Sequence, residues 1–199
     1  MVRKITLTAV FCSLLVGTGS YAQSLKKEEI TQETKKYKKA MVDYQDFKTL
    51  VAEVEQHRKK RLVSLDDFLK MSAGNNVVIL DARSDFRYNR KRLKGALHLS
   101  FTDFTQDNLR QLVPDTATKI LIYCNNNFIG DQIDFATKLV APTKRLGKRP
   151  SPSDKPVMLA LNIPTYINLY GYGYKNIYEL DELVNVNDKR IKFEGSEVK

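Results

Sequence analysis

Cysteine is scarce in this chain, which has only Cys12 and Cys124 among its 199 residues. Cys12 lies in an N-terminal segment that we predict to be a signal peptide, so the mature chain would keep one cysteine. One cysteine excludes an intramolecular disulfide, although exported chains normally pair their cysteines. A lone thiol is then either a small buried hydrophobic residue or a reactive group, and burial statistics alone favour the first.

The N-terminus has the three parts of a secretory signal. Arg3 and Lys4 supply positive charge, Ile5 to Val16 form an apolar core, and Ser20 to Ala22 follow the small-x-small pattern of a cleavage site. We therefore expect cleavage after Ala22 and a secreted or periplasmic mature protein.

Long apolar runs are also missing. The run in the leader is shorter than the ~20 residues that a membrane-spanning helix needs, and no later stretch is longer. We therefore expect no stable membrane insertion once the leader is removed. The remaining length suits a helical extension at 23–60 followed by one domain at 61–195.

Acidic residues are outnumbered, since 33 lysines and arginines face 23 aspartates and glutamates. The basic runs include Arg58 to Arg61 and Arg90 to Arg92. Such runs form solvated faces, or attract anionic small molecules or acidic polymers. We expect no nucleic-acid partner for an exported protein.

The helical extension carries apolar residues at spacings of three and four, which predict one apolar stripe packed on the domain. The stripe consists of Tyr37, Met41, Tyr44, Phe47, Val51 and Val54. Next, Ser64 to Asp67 resembles a capping box and predicts a short helix from Leu65 to Met71.

Three apolar runs predict buried strands: Val77 to Leu80, Ile120 to Tyr123 and Asn176 to Leu180. Helical segments separate these runs, which predicts an α/β fold with a mainly parallel sheet flanked by helices. Ligands bind at the carboxyl ends of the strands in such sheets.

Residues 141–156 break this pattern with four prolines and five basic residues, which predict an exposed irregular segment. A helix is expected from near Val157. Pro164 would then end or kink its first part, or occupy its first turn if the helix begins later.

Four segments in this order resemble the rhodanese-like family over roughly residues 60–184. They are Val77 to Arg83, Arg92 to Leu99, Ile120 to Cys124 with its following loop, and Leu169 to Leu180. The resemblance implies that Cys124 carries a persulfide, while the loop behind it cradles the sulfur with backbone N–H groups and leads into a helix N-terminus.

The substrate-contacting residues that this resemblance implies belong to the loop and to basic side chains beside it. They are Asn125, Asn126, Asn127, Phe128, Ile129 and Gly130, with Arg83, Arg145 and Arg149 as further candidates. The implied partner is a small sulfur-containing anion or a thiol acceptor. We expect no cofactor and no metal, and the sequence names no protein partner.

The loop departs from the family pattern because it has no charged residue before Asp131, whereas active members commonly carry a basic residue there. This absence disfavours phosphatase activity, which needs an arginine to hold the phosphate. The three asparagines could still cradle an anion with spare amide donors. An insert from about 130 to 156 is either a basic lid over the site or a surface segment.

Three functional hypotheses therefore remain open. The first is sulfur transfer through a Cys124 persulfide, and the second is a catalytically inactive module that binds an anionic ligand or an envelope partner. The third is a thiol redox sensor, which would lack a resolving cysteine. For Asp81, Arg83 and His98 we favour structural roles, in an ion pair and in hydrogen bonds.

Overall fold

The computed structural model describes residues 37–140 and 157–198. Val42–Lys199 form one compact unit, and the described residues before it, 37–41, have no helix or strand. The predicted signal peptide lies outside the described residues. No helix in the described ranges is both long enough and apolar enough to cross a membrane.

The described helices are α1 (Tyr44–Lys59), α2 (Leu65–Ser72), α3 (Asp85–Arg90), α4 (Gln106–Leu112) and α5 (Asn162–Gly171). The strands are β1 (Leu62–Val63), β2 (Val77–Asp81), β3 (Arg92–Leu93), β4 (Leu97–His98), β5 (Lys119–Tyr123), β6 (Phe128–Ile129), β7 (Leu139–Val140), β8 (Val157–Met158), β9 (Ile177–Leu180), β10 (Val184–Asn185) and β11 (Phe193–Glu194). Five strands form a parallel sheet in the order β1-β9-β5-β2-β4. The predicted α/β fold is confirmed.

Strand β5 is central and buried on both faces. Ile120 and Ile122 pack in a core with residues of α4 and α5, while Leu121 and Tyr123 pack in a second core with α2. A residue such as Leu121, once fully buried, contributes about 1.5–3 kcal/mol. Burial on both faces explains why the run has no polar alternation.

Helix α2 begins where the capping pattern predicts. The Ser64 hydroxyl accepts a hydrogen bond from the Asp67 N–H at 3.2 Å, and the Glu182 carboxylate accepts one from the Leu65 N–H at 2.7 Å. These acceptors satisfy two of the N–H groups that a helix start leaves without partners. The prediction of this helix is confirmed.

Helix α1 is shorter than the predicted stripe. It begins at Tyr44 because the Asp43 carboxylate accepts hydrogen bonds from the first N–H groups of the helix. Only Val54 is buried, and Leu50 is partly buried against the core. The prediction of a packed stripe was wrong for its exposed members, which are Tyr37, Met41, Tyr44, Phe47 and Val51.

Helix α5 begins at Asn162 rather than near Val157. The earlier residues form β8, which pairs antiparallel with β7. Pro164 therefore occupies the first turn of α5, where a missing N–H leaves no helical hydrogen bond unmade.

Candidate active site

Cys124 lies directly after β5, at the carboxyl end of the parallel sheet. It precedes a 3-10 turn formed by Asn125–Asn127. The residue is only 1% exposed, and it is a free thiol. This is the edge of the sheet at which α/β proteins bind ligands.

A backbone donor from a distant part of the chain reaches the sulfur. The N–H of Leu161, the residue just before α5, donates to the Cys124 Sγ at 3.3 Å. Burial raises the pKa of the Cys124 thiol, while backbone hydrogen bonds from Leu161, Asn125 and Asn126 act in the opposite direction. The resting site therefore holds a neutral thiol, with N–H groups placed to stabilise a negative sulfur.

The side chain of Asn127 ties the cysteine to its surroundings. Its Oδ1 accepts hydrogen bonds from the Cys124 N–H at 2.9 Å and from the Asn162 Nδ2 at 3.1 Å. Its Nδ2 donates to the Leu180 carbonyl at 2.7 Å. Asn127 thus joins the loop to both β9 and α5.

The other two asparagines also have structural partners. Asn126 bonds the main chain of Lys138 twice, since its Oδ1 accepts from the N–H at 2.8 Å and its Nδ2 donates to the carbonyl at 3.0 Å. The Asn125 Oδ1 accepts from Arg83 at 3.3 Å. The prediction of spare amide donors was wrong for Asn126 and Asn127, because the fold itself uses their NH₂ groups.

Phe128, at the end of the cysteine loop, packs in the hydrophobic core. Phe128 is fully buried, and its ring packs against the rings of Tyr123 and Phe135. The predicted substrate contact of Phe128 stays a prediction, because the ring is closed off from solvent in this structure. Ile129 stays partly exposed, and Gly130 has a φ of +92°, a conformation that favours glycine.

Arg83 forms a buried ion pair with Asp81, so the predicted pairing is confirmed. Its Nε and Nη2 lie 3.0 and 2.7 Å from the two Asp81 carboxylate oxygens. The same guanidinium donates to the carbonyls of Lys91 and Asp134 and to the Asn125 Oδ1. Arg83 therefore supports the cysteine loop through Asn125 and is itself buried, so it is not exposed to a ligand.

His98 also has a structural position. Its Nε2 donates to the Arg83 carbonyl at 2.8 Å, its ring stacks on Tyr88, and its Nδ1 lies 3.5 Å from Asp85. These contacts are those expected of a structural histidine.

The insert begins as ordered structure. Asp131 accepts from Lys91 at 2.9 Å, and the buried Asp134 accepts from Arg90 at 2.6 Å. Phe135 is fully buried. The basic candidates Arg145 and Arg149 lie outside the described residues.

A cavity of about 430 Å³ adjoins the cysteine loop. Asn127, Asn162 and Leu180 are buried residues of its lining, which also includes exposed apolar residues. The exposed members are Ile129, Met158, Ile163 and Leu183.

Among the described residues that line this cavity, carboxylates outnumber cations. Its arginine, Arg58, is paired with both oxygens of the buried Glu179, at 2.5 and 2.6 Å. Asp181 and Glu182 add two further carboxylates. Despite the basic composition of the chain, this cavity favours neutral or cationic groups.

Sequence reasoning missed Leu161 and Asn162. The local signal was present, since Asn162 followed by Pro164 is typical of a helix start. Their distance from the cysteine along the chain, 37 residues for Leu161, concealed their place at the thiol.

Comparisons with known proteins agree with this arrangement. A family model for the rhodanese-like domain matches residues 64–182. No curated protein matches the chain in a sequence search. The match covers more than half of the chain and contains four of the five strands of the parallel sheet, the cysteine loop and α5. The chain belongs to the rhodanese-like domain family.

Proposed function

We propose that this protein is a sulfurtransferase that carries sulfane sulfur on Cys124. The supporting observation is a lone thiol at the carboxyl end of β5 whose sulfur receives the Leu161 N–H. That donor stands at the N-terminus of α5, where backbone groups favour negative charge. A persulfide anion has its charge on sulfur and would gain from the same donors.

The proposed chemistry conserves atoms and electrons in two steps. The Cys124 thiolate attacks the sulfane sulfur of a donor, a new sulfur–sulfur bond forms on Cys124, and the donor's own bond to that sulfur breaks. The electron pair of the broken bond leaves with the donor, as sulfite from thiosulfate or as a thiolate from a persulfide. A thiophilic acceptor then takes the outer sulfur and regenerates the Cys124 thiolate.

The burial of Cys124 adds a requirement to this mechanism. A residue that is 1% exposed cannot meet a donor until its neighbours move. The Leu161 main chain contacts the sulfur directly, so a shift of this segment would open the site. Opening would also hydrate the thiol and remove the burial that raises its pKa.

The cavity charges narrow the class of sulfur donor. Asp181 and Glu182 repel a dianion such as thiosulfate but not a persulfide on a neutral or cationic carrier. We therefore expect cysteamine persulfide to be a better donor than thiosulfate.

The test incubates the purified protein with each donor and measures added sulfur on Cys124 by intact-mass and peptide mass spectrometry. Turnover is followed with cyanide as acceptor. We expect one added sulfur atom from cysteamine persulfide and complete loss of turnover in Cys124→Ser. An absence of both adduct and turnover with either donor would refute the proposal.

A second candidate function is a catalytically inactive binding module. The buried thiol with its raised pKa favours it, as does the cavity beside the loop. Under this alternative, a Cys124→Ser variant would keep its ligand affinity, and the native protein would form no persulfide. The cavity lining points to a neutral or cationic ligand at this face.

We also propose that the chain is exported, on the strength of its N-terminal sequence pattern. Fractionation of expressing cells and N-terminal sequencing test this. We expect a mature chain that begins at Gln23 outside the cytoplasm. Recovery of the protein in the cytoplasm with its leader intact contradicts export.

A further inference from the structure

A second cavity, away from Cys124, lies beside α1 and β9. It has a volume of about 370 Å³ and is lined by Gln56, His57, Lys60, Arg61 and Tyr178. Of these five described residues, three are basic and none is a carboxylate. The acidic cavity at the cysteine loop thus has a basic counterpart.

Arg61, a lining residue of this cavity, has one buried donor without a partner among the described residues. Its guanidinium carbon lies 4.9 Å from the centre of the Tyr178 ring. Its Nη1 is buried and has no hydrogen-bond partner among the described residues. Guanidinium N–H groups in protein interiors are normally paired, so an acceptor brought by a ligand would complete this one.

The nearest carboxylate on β9 is already engaged. Glu179 directs both oxygens to Arg58, and both groups belong to the lining of the other cavity. Among the described residues that line this cavity, no carboxylate accompanies Lys60 and Arg61. Like charges held together raise each other's energy until a counter-ion binds.

The pKa of His57 is lowered by its surroundings. Burial lowers its pKa, and the charges of Arg61, Lys175 and Lys60 lower it further, whereas a backbone hydrogen bond at Lys175 opposes them. A bound anion would counter the three cations.

The ring of His57 is oriented by its neighbours. The Tyr166 hydroxyl oxygen lies 2.9 Å from the His57 Nδ1 and 3.3 Å from the Ile177 carbonyl oxygen. Tyr170 contacts the same ring edge to face.

We propose that this cavity binds the oxyanion group of a small molecule, a phosphate or a sulfate. Arg61 and Lys60 are its charged donors, and His57 adds a third when protonated. The site takes tetrahedral oxyanions because several convergent N–H donors match their oxygens. It is independent of the chemistry at Cys124.

The two histidines of the chain make a direct test practicable. The imidazole signals of His57 and His98 are followed by NMR across a pH titration, with sulfate as the probe and chloride at matched ionic strength as the reference. We expect sulfate to raise the pKa of His57 in a saturable manner and to leave His98 unchanged. Equal shifts of both histidines, or none at His57, overturn the proposal.

Variants assign the effect to the cavity. Arg61→Leu should weaken sulfate binding by about tenfold or more, as expected for the loss of a charged hydrogen bond. Lys60→Gln should weaken it to a smaller extent. Lys59→Gln is the matched control, because Lys59 is the exposed neighbour and does not line the cavity. An equal loss in all three variants would show general attraction to a basic surface and reject a site.

A lipid headgroup could supply the same oxyanion. Sedimentation with phosphatidylglycerol vesicles, compared with phosphatidylcholine vesicles, separates the two sources. Binding to sulfate without vesicle binding assigns the site to a free small molecule. Vesicle binding that needs Arg61, without a sulfate effect on His57, overturns the proposal of a small-molecule ligand and assigns the site to a lipid.

Discussion

Arg83 and Arg61 each touch the central sheet, yet one has every partner it needs and the other does not. Arg83 follows β2, is almost fully buried, and pairs with Asp81 while bonding three further oxygens. Arg61 precedes β1, and its Nη1 has no partner among the described residues. A complete set of partners indicates a structural arginine, whereas an incomplete set indicates a place for a ligand.

The strongest test of this comparison is Arg83→Leu. Removing the guanidinium leaves the Asp81 carboxylate buried without its partner, so we expect a loss of about 3–5 kcal/mol in the free energy of unfolding. Urea denaturation measures it. The double variant Asp81→Asn/Arg83→Leu should recover part of the loss, and a loss below about 1 kcal/mol in the single variant contradicts a structural role.

Tyr123→Phe tests the same network with a smaller change. The Tyr123 hydroxyl donates to Asp81 and accepts from the Leu93 N–H at 3.2 Å. Deleting it leaves both groups short of a partner, for an expected loss of about 1–3 kcal/mol by urea denaturation. Tyr170→Phe is the control, because no hydrogen bond of its hydroxyl is found among the described residues. Equal losses of stability in the two variants would show that the hydrogen bonds of the Tyr123 hydroxyl do not stabilise the fold.

Asn126→Ala tests how firmly the cysteine loop is held. The Asn126 amide bonds the loop to Lys138, and its Nδ2 lies 3.5 Å from the sulfur of Met158, three residues before the donor residue Leu161. Losing about 1–1.5 kcal/mol of hydrogen bonding should raise the alkylation rate of Cys124 by up to about tenfold. The rate is measured with iodoacetamide. Asn108→Ala, at an exposed position, should leave the alkylation rate of Cys124 unchanged. An unchanged rate in Asn126→Ala would show that the Asn126 amide does not hold the loop closed over the thiol.

Arg61→Leu should have the smallest effect on stability. It removes a cation–π contact with Tyr178 and no hydrogen bond of Nη1, so we expect a change within about 1 kcal/mol by urea denaturation. A loss of stability as large as that of Arg83→Leu would show that Arg61 is also a structural arginine.

The same variant should change the pH dependence of stability. The folded-state pKa of His57 lies below its unfolded value of 6.5, so the unfolded state binds more protons and stability falls as the pH drops below that value. Arg61→Leu should lessen this fall, because it removes one of the charges that lower the pKa. Urea denaturation between pH 5 and 8, roughly the range in which histidine titrates, measures the difference. An unchanged or steeper fall contradicts the assignment.

Sequence reasoning was most accurate where local chemistry decides the structure. The apolar runs around Leu80 and Ile122 and the cap at Ser64 all depend on neighbours within a few residues, and each was predicted. The position of Cys124 at the end of its strand follows from the same local pattern.

The errors have a shared physical cause, which is contact between residues distant along the chain. Asn126 and Asn127 looked like free donors because their acceptors, the carbonyls of Lys138 and Leu180, are 12 and 53 residues away along the chain. Phe128 looked like a loop residue because its aromatic partners, such as Phe193, lie elsewhere in the sequence. The composition also suggested a uniformly basic surface, whereas the described residues line one cavity with mainly acidic charges and another with basic ones.

The pairing of β7 with β8 allows the length of the segment 141–156 to change during evolution. Val140 and Val157 are partners in an antiparallel ladder, so the two residues that flank the segment 141–156 are held at adjacent points. Closing a longer loop between fixed ends adds little entropy cost, about 0.6 kcal/mol for each doubling of its length. Evolution can therefore lengthen, shorten or replace residues 141–156 without moving Leu161 away from the sulfur of Cys124.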